Sequence, residues 1–306
     1  EIITNPSARY EAEGMAGIIN IILKKERNQG FNGSFDLITG HPINYGAAAN
    51  LNYRHKKINF FINYAISYRE TPGDGKIYQE VYDHNTTNIL KQTTDSYITG
   101  FNNNIRGGLD YFFSEKNILT ASYLFRRADA GRITNILYKD YLSNTNEENL
   151  QSYTTRRQDE DEIEPNSEYS LIYKRSFEQK GHDFTAEVKY LDNWENSDQL
   201  FTQYSYSPGG TLDSSQIQTS VNDEFEKQFL VQLDYVKPIG KEGKFETGIR
   251  SSFRDMVNDY IVSEQNEEGG FDPIPELDNV FLYDENIHAV YGILGNKTKG
   301  ISYQAG

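Results

Sequence analysis

"INFFINYAISY", residues 58–68, decides the fold. Its even positions are Ile58, Phe60, Ile62, Tyr64, Ile66 and Tyr68; most odd positions are small or polar, Asn59, Asn63, Ala65 and Ser67, with Phe61 the exception. A period of two puts the apolar side chains on one face of a strand. The pattern recurs down the chain. Phe101, Ile105, Leu109, Tyr111 and Phe113 alternate with Asn102, Asn104, Arg106 and Asp110. Leu119, Ala121, Tyr123 and Phe125 alternate with Thr120, Ser122 and Arg126. Phe184, Ala186, Val188 and Tyr190 alternate with Thr185, Glu187 and Lys189, and Phe229, Val231, Leu233 and Tyr235 with Gln228, Gln232 and Asp234. Phe245, Ile249 and Phe253 repeat it against Glu246, Arg250 and Arg254, and no helical period of comparable length follows the first thirty residues.

The connections carry a second signal. Tight polar stretches fall at 54–57 (RHKK), 114–117 (SEKN), 179–182 (QKGH), 240–244 (GKEGK) and 296–299 (NKTK), each joining two alternating segments. Between them, long polar stretches at about 71–96, 130–166, 206–221 and 263–278 read as loops. Short turns and long loops therefore alternate, so all the short turns fall on one side of the sheet. A soluble sandwich has no reason to sort loop length by side, whereas an outer-membrane barrel has short periplasmic turns and long extracellular loops. The alternation then assigns faces: Phe101, Ile105, Leu109 and Phe113 outward to lipid, Asn102, Asn104 and Arg106 inward to a wet lumen, together with Asp110, Glu187, Lys189, Asp234 and Arg250. Tyr53, Tyr111, Tyr173, Tyr235 and Tyr291 stand near the short turns, where an interfacial aromatic girdle is expected.

Composition agrees once this pattern is seen. The 306 residues carry a net charge of −15, which argues against a nucleic-acid partner. There is no cysteine, which excludes disulfides and thiolate metal sites. Mean hydropathy is −0.71 and no apolar stretch approaches the roughly 18 residues of a membrane helix. Alternating transmembrane strands average to such a polar composition. The 23 Tyr and 17 Phe beside a single Trp favour strands. The competing reading of the same features is a soluble all-β binding module.

The N-terminus differs from the rest. "NPSARYEAEGMAGIINIILKK", residues 5–25, sets Gly14 and Gly17 before Ile18, Ile19, Ile21, Ile22 and Leu23, which offer apolar groups on both faces of a strand. With the alternating segments behind it, this stretch resembles the end of the plug domain of TonB-dependent outer-membrane receptors of the Bacteroidetes type. Pro6, Arg9, Tyr10, Gly14, Gly17 and Asn20 carry the likeness. The resemblance implies an all-β, antiparallel transmembrane β-barrel, partial here, with about 11 strands of the about 22 that close plugged transporters. Residues 1–26 are then the C-terminal part of a plug and 27–306 the N-terminal half of the barrel, in a chain that is a fragment. It further implies a receptor in the outer membrane of a Gram-negative bacterium that takes up a scarce extracellular solute. Lipid and the TonB complex, the latter reached through an N-terminal part absent here, would be its partners. No bond is broken and no cofactor used. The motif residues serve plug folding rather than ligand contact. A passive barrel or adhesin without TonB-driven gating is the alternative, and needs no plug.

Site signals are weaker. Tyr78, Tyr82, Tyr138, Tyr141 and Tyr153 fall in the expected extracellular loops, where they either capture solute at the mouth or pack loop against loop. The run RRQDEDE at 156–162 is either a cation-attracting or a solvated loop, and does not fit a Ca²⁺ loop. His41, His55, His84, His182 and His288 are dispersed without zinc spacing. Glu187 and Asp234 read as lumen wall rather than a catalytic carboxylate pair.

Overall fold

The computed structural model describes residues 2–3, 18–19, 29–83, 86–144, 147–298 and 301–306. Two short strands, β1 (Ile2–Ile3) and β2 (Ile18–Ile19), pair antiparallel in a sheet of their own, Ile2 opposite Ile19. All other strands form one antiparallel sheet. In chain order they are β3 (Gly30–Gly40), β4 (Asn44–His55), β5 (Ile58–Asp83), β6 (Thr86–Ser114), β7 (Asn117–Asn144), β8 (Glu147–Ser176), β9 (Asp183–Tyr206), β10 (Leu212–Ile239), β11 (Gly243–Gln265), β12 (Phe271–Pro273), β13 (Asn279–Thr298) and β14 (Ile301–Ala305). Each pairs with its neighbours in sequence, from β3 at one edge to β14 at the other, and only β12 is a short spur on β11. Among the described residues no pairing joins β3 to β14.

An up-and-down meander sorts its connections by side. The turns at 56–57, 115–116, 177–182 and 240–242 share one rim, with the paired strand ends Thr298 and Ile301. The sorting read from the sequence is therefore present. The loops are not. Three of the four stretches expected as loops are mostly paired strand. β5 and β6 remain in register up to Asp83 opposite Thr86, and β7 and β8 up to Asn144 opposite Glu147. Residues 207–211 make a tight turn in which Ser207 N–H donates to Thr211 O at 2.9 Å, and β10 resumes at Leu212. Beyond β11 a spur-and-turn connection of 266–278 does exist. β8 is 30 residues long, where about 9–11 suffice to cross a bilayer. Above the membrane both faces of a strand are wet, so pairing continues without an apolar face.

The registers propagate the two faces across the whole sheet. Tyr53, Phe60, Leu109, Ala121, Leu171, Val188, Val231, Ile249, Val290 and Leu294 share one face, with the outward residues expected at 101, 105 and 109 among them. Asn102, Asn104, Arg106, Asp110, Glu187, Lys189, Asp234 and Arg250 share the other. Curvature distinguishes them, because side chains crowd on the inside of a curved sheet. All the buried residues described, except Ile89, lie on the polar face: Asn166, Ser170, Ser197, Ser220, Leu230, Asp234, Glu246, Gly248, Ser252, Val262, Tyr291 and Ile293. The polar face is concave and the apolar face convex.

Two aromatic side chains break the alternation for one reason. On the concave face the Phe61 ring lies across Gly108, where a Cβ would stand 2.4 Å from Phe61 Cζ. Tyr291 lies likewise across Gly248, 2.6 Å from Cε1, and its hydroxyl reaches Asp234. The glycines leave the space and the rings fill it. Tyr291 is thus no member of the aromatic girdle, as its sequence position suggested; it is buried on the inner face. Tyr53, Tyr111, Tyr173 and Tyr235 do stand on the outer face, with Tyr173 hydrogen-bonded to Asn117 at 3.3 Å and Tyr235 to His182 at 2.8 Å. Pro6, Arg9, Tyr10, Gly14, Gly17 and Asn20, and with them most of the plug-like segment, lie outside the described residues.

Candidate functional site

The concave face carries charges of both signs. Arg69 on β5, Arg106 on β6, and Arg126 and Arg132 on β7 stand on one side. Glu160, Glu162, Glu164 and Glu168 follow on β8, every second residue apart from Asn166. Further acids continue across the sheet: Glu195 on β9 sits directly opposite Glu224 on β10. Like charges so placed repel, and this face accepts that cost beside water. Arg132 pairs with Glu160 at 3.4 Å, and Glu160 also accepts from Gln199 at 3.0 Å. Arg254 bridges to Glu285 at 3.2 Å. Among the described residues, Arg69, Arg106 and Arg126 have no such partner.

Small residues hollow the face between these arginines. Ala65 pairs with Asn104 and Asn104 with Arg126; one row up, Ser67 pairs with Asn102, Asn102 with Ala128, and Ala128 with Glu164. The result is a depression of about 360 Å³ lined by Ala65, Ser67, Asn102, Asn104, Arg126 and Glu164. It combines amides, one guanidinium and one carboxylate. Asn102 and Asn104 were legible as inward residues; Arg126 appeared only as part of an alternation, and Glu164 not at all, because cross-strand register alone brings them together.

The five tyrosines read as site candidates lie elsewhere, on strands rather than loops. Tyr78, Tyr82, Tyr141 and Tyr153 are on the outward face of the extensions, and only Tyr138 is on the concave face. Three of them cluster. Tyr78 donates to Glu80 at 2.6 Å, Tyr82 donates to the same carboxylate, and Lys91 sits 4.7 Å from the Tyr141 ring centre while paired with Glu148. The bond to Glu80 pushes the Tyr78 phenol up to about 12. The Tyr82 phenol also rises through its bond to Glu80, and the two phenols together hold the Glu80 carboxyl below its ordinary value. The Lys91 ammonium is raised by its bond to Glu148. Ile89, buried, lies opposite both Glu80 and Tyr141. These groups join the β5–β6 hairpin to the β7–β8 hairpin. Tyr153 stacks on Tyr206 with ring centres 4.8 Å apart. The RRQDEDE run is strand as well, so its residues alternate: Arg156, Glu160 and Glu162 inward, Arg157, Asp159 and Asp161 outward. No group of three or more acidic or histidine side chains converges for a metal among the described residues.

The convex face completes the picture. Counting up from the short-turn rim, beside which Arg175 and Lys237 point outward, the outward residues of β5, β7, β9 and β11 stay uncharged until Glu70, Arg127, Asp192 and Asp255. That is about ten residues per strand, the number that crosses a membrane. Residues 175–306 match the outer membrane protein beta-barrel family. No curated protein and no solved structure matches the chain. Fold and match together define the class: the sheet is wall of an outer-membrane β-barrel, and the protein resides in the outer membrane of a Gram-negative bacterium.

Proposed function

We propose that the protein is a TonB-dependent receptor that carries a scarce solute across the outer membrane. The observation that carries this is the N-terminal segment. Its glycine-broken, two-faced apolar run resembles the end of a plug, and Ile18–Ile19 pairs with Ile2–Ile3 rather than with the wall. A run with apolar groups on both faces suits the small core of a plug. It does not suit a wall strand, which must show one face to water. The polar concave face supports a lumen through which a solute passes. In this reading solute binds from outside, the plug blocks the lumen, and energy delivered through TonB remodels the plug. No bond of the solute is broken, so the protein is not an enzyme.

The test uses the full-length receptor in its own cell. Uptake of its solute is expected to stop when TonB is deleted or the proton-motive force is collapsed. Ile19→Asp and Ile22→Asp are each expected to make the outer membrane leaky to antibiotics too large for porins. Uptake that continues without TonB would make the protein a passive barrel. An outer membrane that stays tight in both variants would remove the plug.

A further inference from the structure

The depression between β5 and β8 on the concave face holds two opposite charges that do not neutralise each other. Arg126 on β7 and Glu164 on β8 both line it, and no ion pair joins them within 4 Å. Register explains the gap. Arg126 faces Asn166 and Glu164 faces Ala128, so the two are diagonal neighbours rather than direct partners. Diagonal Cα atoms lie about 7–8 Å apart. Ala65, Ser67 and Ala128 form a floor too short to fill the space, and Asn102 and Asn104 supply amides that both donate and accept. The volume of about 360 Å³ is within the roughly 300–1,000 Å³ of small-molecule sites.

From this geometry we propose that the depression is a subsite for a zwitterion of short-peptide size, carboxylate on Arg126 and ammonium on Glu164. The inference rests on the uptake reading, since a lumenal subsite matters only where solute passes. The guanidinium offers a planar fork that a carboxylate accepts from bidentately. The Glu164 carboxylate accepts from an ammonium, and the Asn102 and Asn104 amides, one strand further on β6, border the depression beside Ala128 and Arg126. Arg69 and Arg106 flank the depression along the strands and extend its positive side, while Glu162 and Glu168 extend its negative side along β8. A ligand of one sign would meet repulsion from one side of the depression. A ligand carrying both signs, spaced by the same few ångströms, meets none. Open charges in a wet lumen cost little while empty, because water solvates each of them.

Calorimetric titration of the purified full-length receptor with trialanine tests this, alongside N-acetyl-trialanine and trialanine amide. Wild type is expected to bind trialanine, and each capped form at least tenfold more weakly. In Arg126→Gln the penalty for amidation should vanish while that for acetylation remains. In Glu164→Gln the reverse is expected, and Arg126→Lys should restore part of the carboxylate preference. Retained heat-modifiable migration on gels keeps misfolded variants out of the comparison. Absence of trialanine binding to wild type overturns the proposal, as do cap penalties that survive both substitutions. Variants that change only the leak through the barrel overturn it too, because the charges would then hold a segment of the chain itself. Binding needs no energy source, so the two readings fail separately. Peptide binding with uptake independent of TonB refutes the transport reading and leaves the subsite. TonB-driven uptake without zwitterion preference does the opposite.

Discussion

At the scale of single residues, the concave face is held by rings laid over glycines. Gly248 has Leu233 O 2.5 Å from where a Cβ would be, and a backbone oxygen cannot step aside. Gly248→Ala is therefore expected to displace Tyr291, break its bond to buried Asp234 and cost about 1–3 kcal/mol. Tyr291→Phe keeps the ring over the glycine but leaves a buried carboxylate one donor short, for about 1–3 kcal/mol. The midpoint temperature of heat-modifiable migration measures both, and an unchanged midpoint in Gly248→Ala would refute the account. Neither ring could be placed from the sequence. Phe61 and Tyr291 look like a flaw in the alternation and a girdle residue until the opposite strand supplies Gly108 and Gly248. A periodicity records which face a residue takes, not what stands across from it. The outer Tyr78–Glu80–Tyr82 group makes a pH prediction. The Tyr78 phenol is raised above its ordinary 10.0 to about 12, so the folded form holds that proton more tightly. Its contribution is complete below pH 10.0 and fades as pH climbs through about 12. Glu80 is lowered, so its contribution is present above the ordinary carboxylate range and fades as pH falls through the folded value. Alkaline titration of tyrosinate absorbance should show a late component, shared with the Tyr97 phenol that its bond to Glu70 likewise raises to about 12, and Tyr78→Phe should shrink it; an undiminished late component would count against the hydrogen bond.

At the scale of elements, strand existence and pairing were legible between the short turns and illegible beyond them. Residues 58–68 announce a strand because lipid on one side and water on the other impose a period of two. Residues 71–83 of the same strand carry no such period, because both faces meet water, and they read as loop although they stay paired with β6. The loss of pattern marks the membrane boundary rather than the strand end. This gives a test of orientation. An epitope inserted between Gly209 and Gly210, in the turn joining β9 to β10, is expected to be tolerated and stained on intact cells. Gly210 there has φ 87°, and residues 208–211 are exposed. The same epitope between Gly240 and Lys241 should be stained only after permeabilisation. Staining with the opposite sidedness would invert the assignment of the two rims.

At the scale of the molecule, one curved sheet separates two solvents, and the sign of each face follows from the neighbours of a single residue. Val188 on β9 stands on the convex face between Leu171 and Val231, while Glu187 and Lys189 beside it in sequence point into the concavity and pair at 3.2 Å. An arginine added at either place changes the chain by one long cationic side chain, so the difference between the two measures the solvent. Val188 lies about five residues above the short-turn rim, near the middle of the uncharged band. A cation there costs about 2–4 kcal/mol at the bilayer midplane, since snorkelling must carry it past several apolar neighbours. Glu187→Arg faces water, loses a partly exposed ion pair and adds a repulsion with Lys189, for about 1 kcal/mol. Refolding into liposomes across a urea gradient should thus show Val188→Arg clearly destabilised and Glu187→Arg close to wild type. The contrast does not depend on TonB, on a plug or on any solute. Equal losses in the two variants would mean that both faces meet the same medium, and a soluble sheet would then describe the chain better than a membrane wall.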